Sequence, residues 1–296
     1  MIESIFNTAY GIWNTIISIA MTLFTTSPQN ANGSVYATTQ TLYNAISNIS
    51  LPIAIVFFLI AICKDVISCP PEQQIRRFLG DAMKFGIMIG ILANLWDIMG
   101  YIMQIADGVT TALSVSASYT LSISSDLTSV INEAGTKPTT EVSLVSFGSD
   151  LVQFLSDWVD YAMTNLLFFI AAIMTLVIIV ASCLSILASA FQRIIKPLAI
   201  LPFSSITVAM GAGSNESSRV MTSYIKTFFG FCISGAFMVI CVKLGVALTT
   251  GGLIAFDLSS LSLHEKVLYI CVQNMITPIV IAGLVKTADS VISRFF

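Results

Sequence analysis

Chemistry in this sequence could reside in two charges set inside otherwise apolar runs. Asp97 stands about twelve residues into the run Phe85–Ile105, and Lys243 about sixteen residues into the run Thr227–Leu248. An ionisable side chain in lipid is costly and marks a functional position by default. If the two runs cross a bilayer in the same direction, their depths differ by about 6 Å, within reach of a lysine side chain. Two readings follow. The pair forms a buried ion pair or the polar lining of a passage; or Lys243 extends to the membrane surface while neighbours such as Asn94 cap Asp97. Asn165, Gln273 and Asn274 are further polar side chains in apolar surroundings, expected to bond across helices.

No other constellation suggests a reaction. No glycine-rich phosphate loop ending in Lys-Ser/Thr is present, nor a His-Glu-x-x-His or Gly-x-Ser-x-Gly motif. The single histidine, His264, lies beside Glu265, so neither a His-based metal cluster nor a nucleophile–base pair can be assembled from it. Intramembrane aspartate proteolysis needs two facing carboxylates, and only Asp97 qualifies. Of the six cysteines, Cys183, Cys232, Cys241 and Cys271 lie in apolar runs. Cys63 and Cys69 flank a basic stretch without the partners a zinc site requires. The expectation is a protein that is not an enzyme and carries no cofactor and no metal.

The elements that position these residues are set by composition. Of 296 residues, 56% are hydrophobic and 10% charged, with a mean hydropathy of +0.89. An ordinary soluble domain carries roughly 25% charge, so lipid must be the solvent for most of this chain. A net charge of −3 offers no general basic face for nucleic acid. The fold class expected is all-α: a polytopic membrane protein of about five transmembrane helices plus an N-terminal amphipathic helix. In the latter, Glu3, Asn7, Gly11, Asn14, Ser18 and Thr22 draw one polar stripe over Ile2–Phe24, and Ile5, Phe6, Ile12, Trp13, Ile16, Ile19, Met21 and Leu23 lie opposite. Such a helix suits the membrane interface or a partner helix, and its Trp13/Ile16 face suits burial between subunits or in the interface. The polar interruptions also argue against a secretory leader. The five spans are placed at Tyr43–Cys63, Phe85–Ile105, within Tyr161–Gln192, at Thr227–Leu248 and at Val267–Leu284.

Basic residues orient the chain. Lys64, Arg76, Arg77 and Lys84 follow the first span; Arg193, Lys196, Arg219 and Lys226 follow the third; Lys286 and Arg294 follow the fifth. By the positive-inside rule this side is cytoplasmic, giving an N-out/C-in topology. Four segments result: residues 1–38, an amphipathic helix and outer linker; 39–106, two spans with a basic cytoplasmic loop; 107–160, an extracytoplasmic loop; and 161–296, three spans with a cytoplasmic interfacial segment at 193–226 and a short tail. Within the outer loop, Leu121–Thr140 reads as loosely structured, whereas Val142–Asp160 has helical spacing and runs into the third span. Pro197–Met210 is too short to cross and is expected to lie in the interface or re-enter. Gly211–Arg219 reads as a flexible turn.

This layout, together with FQRIIKPLAILPFSSITVAM (Phe191–Met210) and SRVMTSYIKTFFGFCISGAFMVICVKLGVAL (Ser218–Leu248), resembles the polytopic inner-membrane subunit of type IV secretion and conjugation machines, the TrbL-type family. The resemblance implies a non-enzymatic scaffold that assembles as a homo-oligomeric ring in the cytoplasmic (inner) membrane and supports the translocation apparatus. It also implies other inner-membrane subunits, the transfer ATPase and a stalk or cell-wall-active protein as partners, besides membrane lipid. DNA or protein substrate would be met only in transit. The rival reading is a stand-alone channel or transporter for small solutes or ions, although no internal repeat is evident.

The topology is open to single-cysteine labelling in a cysteine-free background. A probe at position 137 is expected to react in intact cells, and probes at 76, 219 and 294 only after permeabilisation; the opposite pattern reverses the orientation.

Overall fold

The computed structural model describes residues 2–30, 33–68, 70–114, 120–122, 125–137, 147–213, 215–250 and 262–295. Cys69, Glu141 and the start of the helical stretch at 142–146 lie outside the described residues. All the described elements are helical: α1 (Ile2–Thr25), α2 (Gly33–Ser68), α3 (Pro71–Ala93), α4 (Leu95–Ser114), α5 (Ser125–Gly135), α6 (Phe147–Ile200), α7 (Ser204–Ala209), α8 (Asn215–Thr250) and α9 (Leu263–Phe295). Short 3₁₀ turns at Leu201–Phe203 and Met210–Ala212 flank α7.

Four helical stretches are long and apolar enough to cross a membrane: Gly33–Lys64, Val152–Ala212, Glu216–Leu248 and Leu263–Ile292. A fifth is formed if the bent pair Glu72–Ala93 and Leu95–Ser114 is one span. This is an all-α, multi-pass membrane protein. Leu51, Ile55, Val56, Leu59 and Ile60 of α2 are all about half exposed, a surface that water would not tolerate and lipid does. Buried hydroxyls are satisfied locally, as lipid demands: Thr110, Thr164 and Thr175 each donate to the carbonyl four residues earlier, at 2.8, 2.7 and 2.8 Å.

The second expected span is not one straight helix. It breaks at Asn94, with a 69° bend between α3 and α4. A break inside an apolar helix leaves carbonyls without partners. Asn94 offsets this: its side-chain amide donates to Gly90 O at 3.0 Å, and its backbone N–H reaches Ile91 O and Leu92 O. The expected capping of Asp97 by Asn94 is not seen: the Asn94 amide donates to the end of α3, and no hydrogen bond from it to Asp97 is present among the described residues.

Three further expectations change. The middle of the outer segment is not loose: α5 forms there and buries Leu127, Val130 and Ala134. The basic stretch after α2 is not a loop, because Pro70 and Pro71 start α3 at once and Arg76, Arg77 and Lys84 lie on that helix. The third hydrophobic stretch does not stop at Gln192. Helix α6 runs for 54 residues, about 81 Å, through Pro197 to Ile200. Its extension back to Phe147 agrees with the helical spacing read there.

The chain divides into two compact units. The first comprises Met1–Ala20, Ala117–Ala188 and Cys241–Lys286. In it part of the apolar stripe of α1 is buried within the chain itself: Phe6 and Trp13, with neighbouring Ile17, are fully enclosed, and Phe6 is edge-on to Phe168, whereas Ile19 is half-exposed. The polar stripe stays exposed except at Asn14, whose side-chain amide donates to Leu121 O and accepts from Leu121 N, both at 2.9 Å. Two of the three amides expected to bridge helices do so: Asn274 accepts from Tyr10 OH at 2.5 Å, and Asn165 donates to Ala134 O at 3.2 Å. No cross-helix bond is seen for the side chain of Gln273 among the described residues. At Gly245 a Cβ would collide with the Ile281 side chain, so the glycine allows α8 and α9 to approach closely.

The second unit comprises Met21–Ser116, Ser189–Ile240 and Thr287–Phe296. Its core joins Tyr43 and Ala54 of α2 and Met88, Leu95, Met99 and Met103 of α3 and α4. Leu201, Val208 and Ala209 complete it with Phe228 and Cys232 of α8. Phe58 stacks on Phe85 at 4.4 Å, and Trp96 contacts both Tyr36 and Tyr43. The Pro197–Met210 run forms a compact fold-back of α6 end, 3₁₀ turn and α7, packed on α2 and α3 with Ser204, Ser205 and Val208 buried. The expected flexible turn is correspondingly shorter. Gly211 is buried, Lys84 donates to Gly213 O at 2.8 Å, and α8 begins at Asn215.

Trp13, expected to be buried between subunits or in the interface, is instead enclosed within the chain. Trp13→Ala is expected to cost about 3 kcal/mol by cavity formation, seen as a lowered unfolding temperature in detergent. Ile19→Ala, on a half-exposed position, should shift stability by no more than about 0.5 kcal/mol. Equal effects would contradict this packing.

Candidate functional site: a buried arginine at the end of the first helix

Arg193 is fully enclosed, its side chain having no exposure. Three groups of the second unit hold it. Helix α1 ends at Thr25, and the carbonyls of a helix's last turn have no intrahelical partner. Arg193 Nη1 donates to two oxygens at that end, Leu23 O at 2.9 Å and Thr26 O at 3.0 Å. The negative end of the α1 dipole is therefore met by a cation. Arg193 Nη2 donates to Asp107 Oδ1 on α4 at 3.3 Å, and the Ser27 hydroxyl also bonds to the Asp107 carboxylate. On α8, Gly235 leaves the space the guanidinium occupies: a Cβ there would collide with Arg193 Nε and Cζ and stand 2.7 Å from Phe24 O.

The arrangement is a clamp. One side chain of α6 carries the end of α1 and the carboxylate of α4, and α8 is notched to admit it. The planar guanidinium presents several donors at fixed angles, which suits carbonyl and carboxylate acceptors together; a lysine could not make the same set. The clamp is not saturated, because Nε is buried without a hydrogen-bond partner. Breaking one half of such a buried pair strands the other charge.

Sequence reasoning did not find this site. Arg193 was expected among the cytoplasmic loop charges, and Asp107 as the first residue of the outer segment. Side chains 3.3 Å apart cannot stand at opposite surfaces of a hydrocarbon core about 30 Å thick, so the expected placements of Arg193 on the cytoplasmic side and Asp107 on the outer side do not both hold. The available signal was the unbroken helical period of Phe191–Lys196 and a glycine, Gly235, in the middle of an apolar helix.

The two residues singled out by sequence occupy different settings. Asp97 is exposed in the first turn of α4, three residues beyond the break, where the positive end of a helix dipole favours a carboxylate. Lys243 is half-buried on α8. Asp97 belongs to the second unit and Lys243 to the first. His264 Nε2 lies 3.1 Å from Thr164 Oγ1. Among the described residues no group of three or more His, Cys, Asp or Glu side chains is arranged to hold a metal ion.

Arg193→Met is expected to destabilise the protein by about 3–5 kcal/mol by stranding Asp107. Arg193→Met combined with Asp107→Leu should recover part of the loss. The residue is about 1–3 kcal/mol for the carbonyls of α1 left without donors. Thermal unfolding in detergent measures all three variants, and additive losses would show that the two side chains are not coupled.

No protein-family model, no curated protein and no solved structure matches this chain.

Proposed function

We propose that this chain is a non-enzymatic scaffold or channel subunit in the cytoplasmic membrane, of the kind the TrbL-type family contributes to type IV secretion and conjugation machines. The observation that carries the reading is the stretch from Phe191 to Leu248. It holds the residues that resemble the family, and much of it builds the packed fold-back of α6, α7 and α8 in the second unit. A chain whose polar side chains are largely spent on holding helices together suits a platform. In this reading it forms a homo-oligomer with its C-terminus in the cytoplasm. It docks other inner-membrane subunits, the transfer ATPase and a stalk or cell-wall-active protein, and meets DNA or protein only in transit.

A second reading, a channel or transporter for small solutes, has one observation in its favour. The break at Asn94 makes a discontinuous helix whose second half begins beside Asp97, and transporters place binding sites at such breaks. Flux of ions or small solutes through the purified protein in liposomes separates it from the scaffold reading.

Deleting the gene should abolish transfer while leaving DNA nicking and nucleotide hydrolysis by the partner ATPase intact; wild-type transfer in the deletion strain would rule the scaffold out. Asp97→Asn and Lys243→Gln test the polar-lining idea within it. If the two charges work together, each single change impairs transfer and the double change restores much of it. Normal transfer in both single variants makes these residues incidental.

A further inference from the structure

The outer surface of the second unit carries an open groove of ≈ 560 Å³ between α7 and α8. Its floor on α8 is a line of side chains at intervals of four, Arg219, Ser223, Thr227 and Phe231, which therefore share one helix face. Thr207 of α7 and Val220 of α8 flank it. The line is graded. A guanidinium stands at one end, the Ser223 and Thr227 hydroxyls along the middle with Thr207 beside them, and an aromatic ring at the other end. From Arg219 to Phe231 is twelve residues, about 18 Å along the axis, comparable with one leaflet of the hydrocarbon core plus the ester region. Arg219 lies three residues inside the start of the apolar stretch Glu216–Leu248, the depth at which basic side chains meet phosphates. It is exposed, and no carboxylate among the described residues engages it.

We infer that this groove is a binding site for one anionic phospholipid, with the phosphate on Arg219, the glycerol esters beside Ser223, Thr227 and Thr207, and an acyl chain along Val220 toward Phe231. The charge at the mouth is opposite to the headgroup's, and polarity falls along the groove as it falls along a phospholipid. Both ends of the molecule are thereby matched, which neither a free anion nor a purely apolar partner would achieve. Basic clefts between membrane helices recognise anionic headgroups in this way, each basic residue strengthening binding about fivefold. Lys196 stands 6.0 Å from the Phe231 ring centroid, at the acyl end, and takes no part in headgroup binding. This inference depends on the chain being a membrane protein and not on its place in a secretion machine.

The test is native mass spectrometry of the full-length protein extracted into detergent and supplied with phosphatidylglycerol or phosphatidylcholine. One tightly retained phosphatidylglycerol per chain is expected, with clearly weaker retention of phosphatidylcholine. Arg219→Gln should lower phosphatidylglycerol retention about fivefold and Thr227→Trp, which fills the groove, should lower it for both lipids. Arg76→Gln, on α3, should change nothing. The inference is overturned if both lipids are retained equally, if Arg219→Gln behaves as wild type, or if Lys196→Gln is the variant that loses the lipid. Displacement by inorganic phosphate alone would reduce the site to an anion site. Dissociation of an oligomer by Thr227→Trp would assign the groove to a second copy of the chain.

Discussion

A guanidinium without exposure must find all its partners inside the protein, and the cost of failure is high enough to constrain everything around it. Arg193 meets most of this constraint by drawing on three helices, with only its Nε left without a hydrogen-bond partner. The end of α1 supplies carbonyls that a helix cannot satisfy itself, α4 supplies the counter-charge of Asp107, and α8 supplies room at Gly235. Each of these would be a defect in isolation: a frayed helix end, a carboxylate among apolar side chains, a glycine in a helix. Placed together they cancel. The position of α1's end is consequently tied to α6 by directional bonds and not only by apolar packing, which in lipid contributes less to helix association than in water.

The same economy governs the break at Asn94. A helix interrupted in an apolar environment must account for its freed carbonyls and amides, and Asn94 does so with its own side chain and backbone. The break redirects the chain by 69°, and the next turn starts with Trp96 and Asp97. Trp96 is fixed between Tyr36 and Tyr43, whereas Asp97 is left exposed at the positive end of the new helix. An acidic side chain at such a position is electrostatically favoured without a partner. That removes the need to pair it and leaves it available to an ion, a solute or another subunit.

A scaffold and a carrier make different demands on polar groups: a scaffold spends them on its own helices, a carrier keeps them open to a path. Arg193, Asp107, Asn14, Asn165 and Asn274 are all spent internally. Arg219 is turned outward, at the mouth of a groove whose lining suits lipid.

Composition and periodicity by themselves determined that this chain is helical and lives in lipid, because 10% charge cannot cover a soluble surface of this size and apolar runs of some twenty residues have no better use than a bilayer. They located the apolar helices, and the stripe of polar residues on α1 was legible from spacing alone. What they could not decide is which charges face inward. Arg193 and Lys196 sit three residues apart in the same basic run, yet only Arg193 points at the end of α1. Nothing in the run distinguishes them, since the difference lies in Leu23, Asp107 and Gly235, between 42 and 170 residues away. The bend at Asn94 was hidden likewise: asparagine is tolerated in an apolar helix or breaks it, according to whether neighbouring helices hold the two halves apart. Local residue chemistry sets what each segment can be, but the partner of a buried polar group is chosen only when distant segments meet.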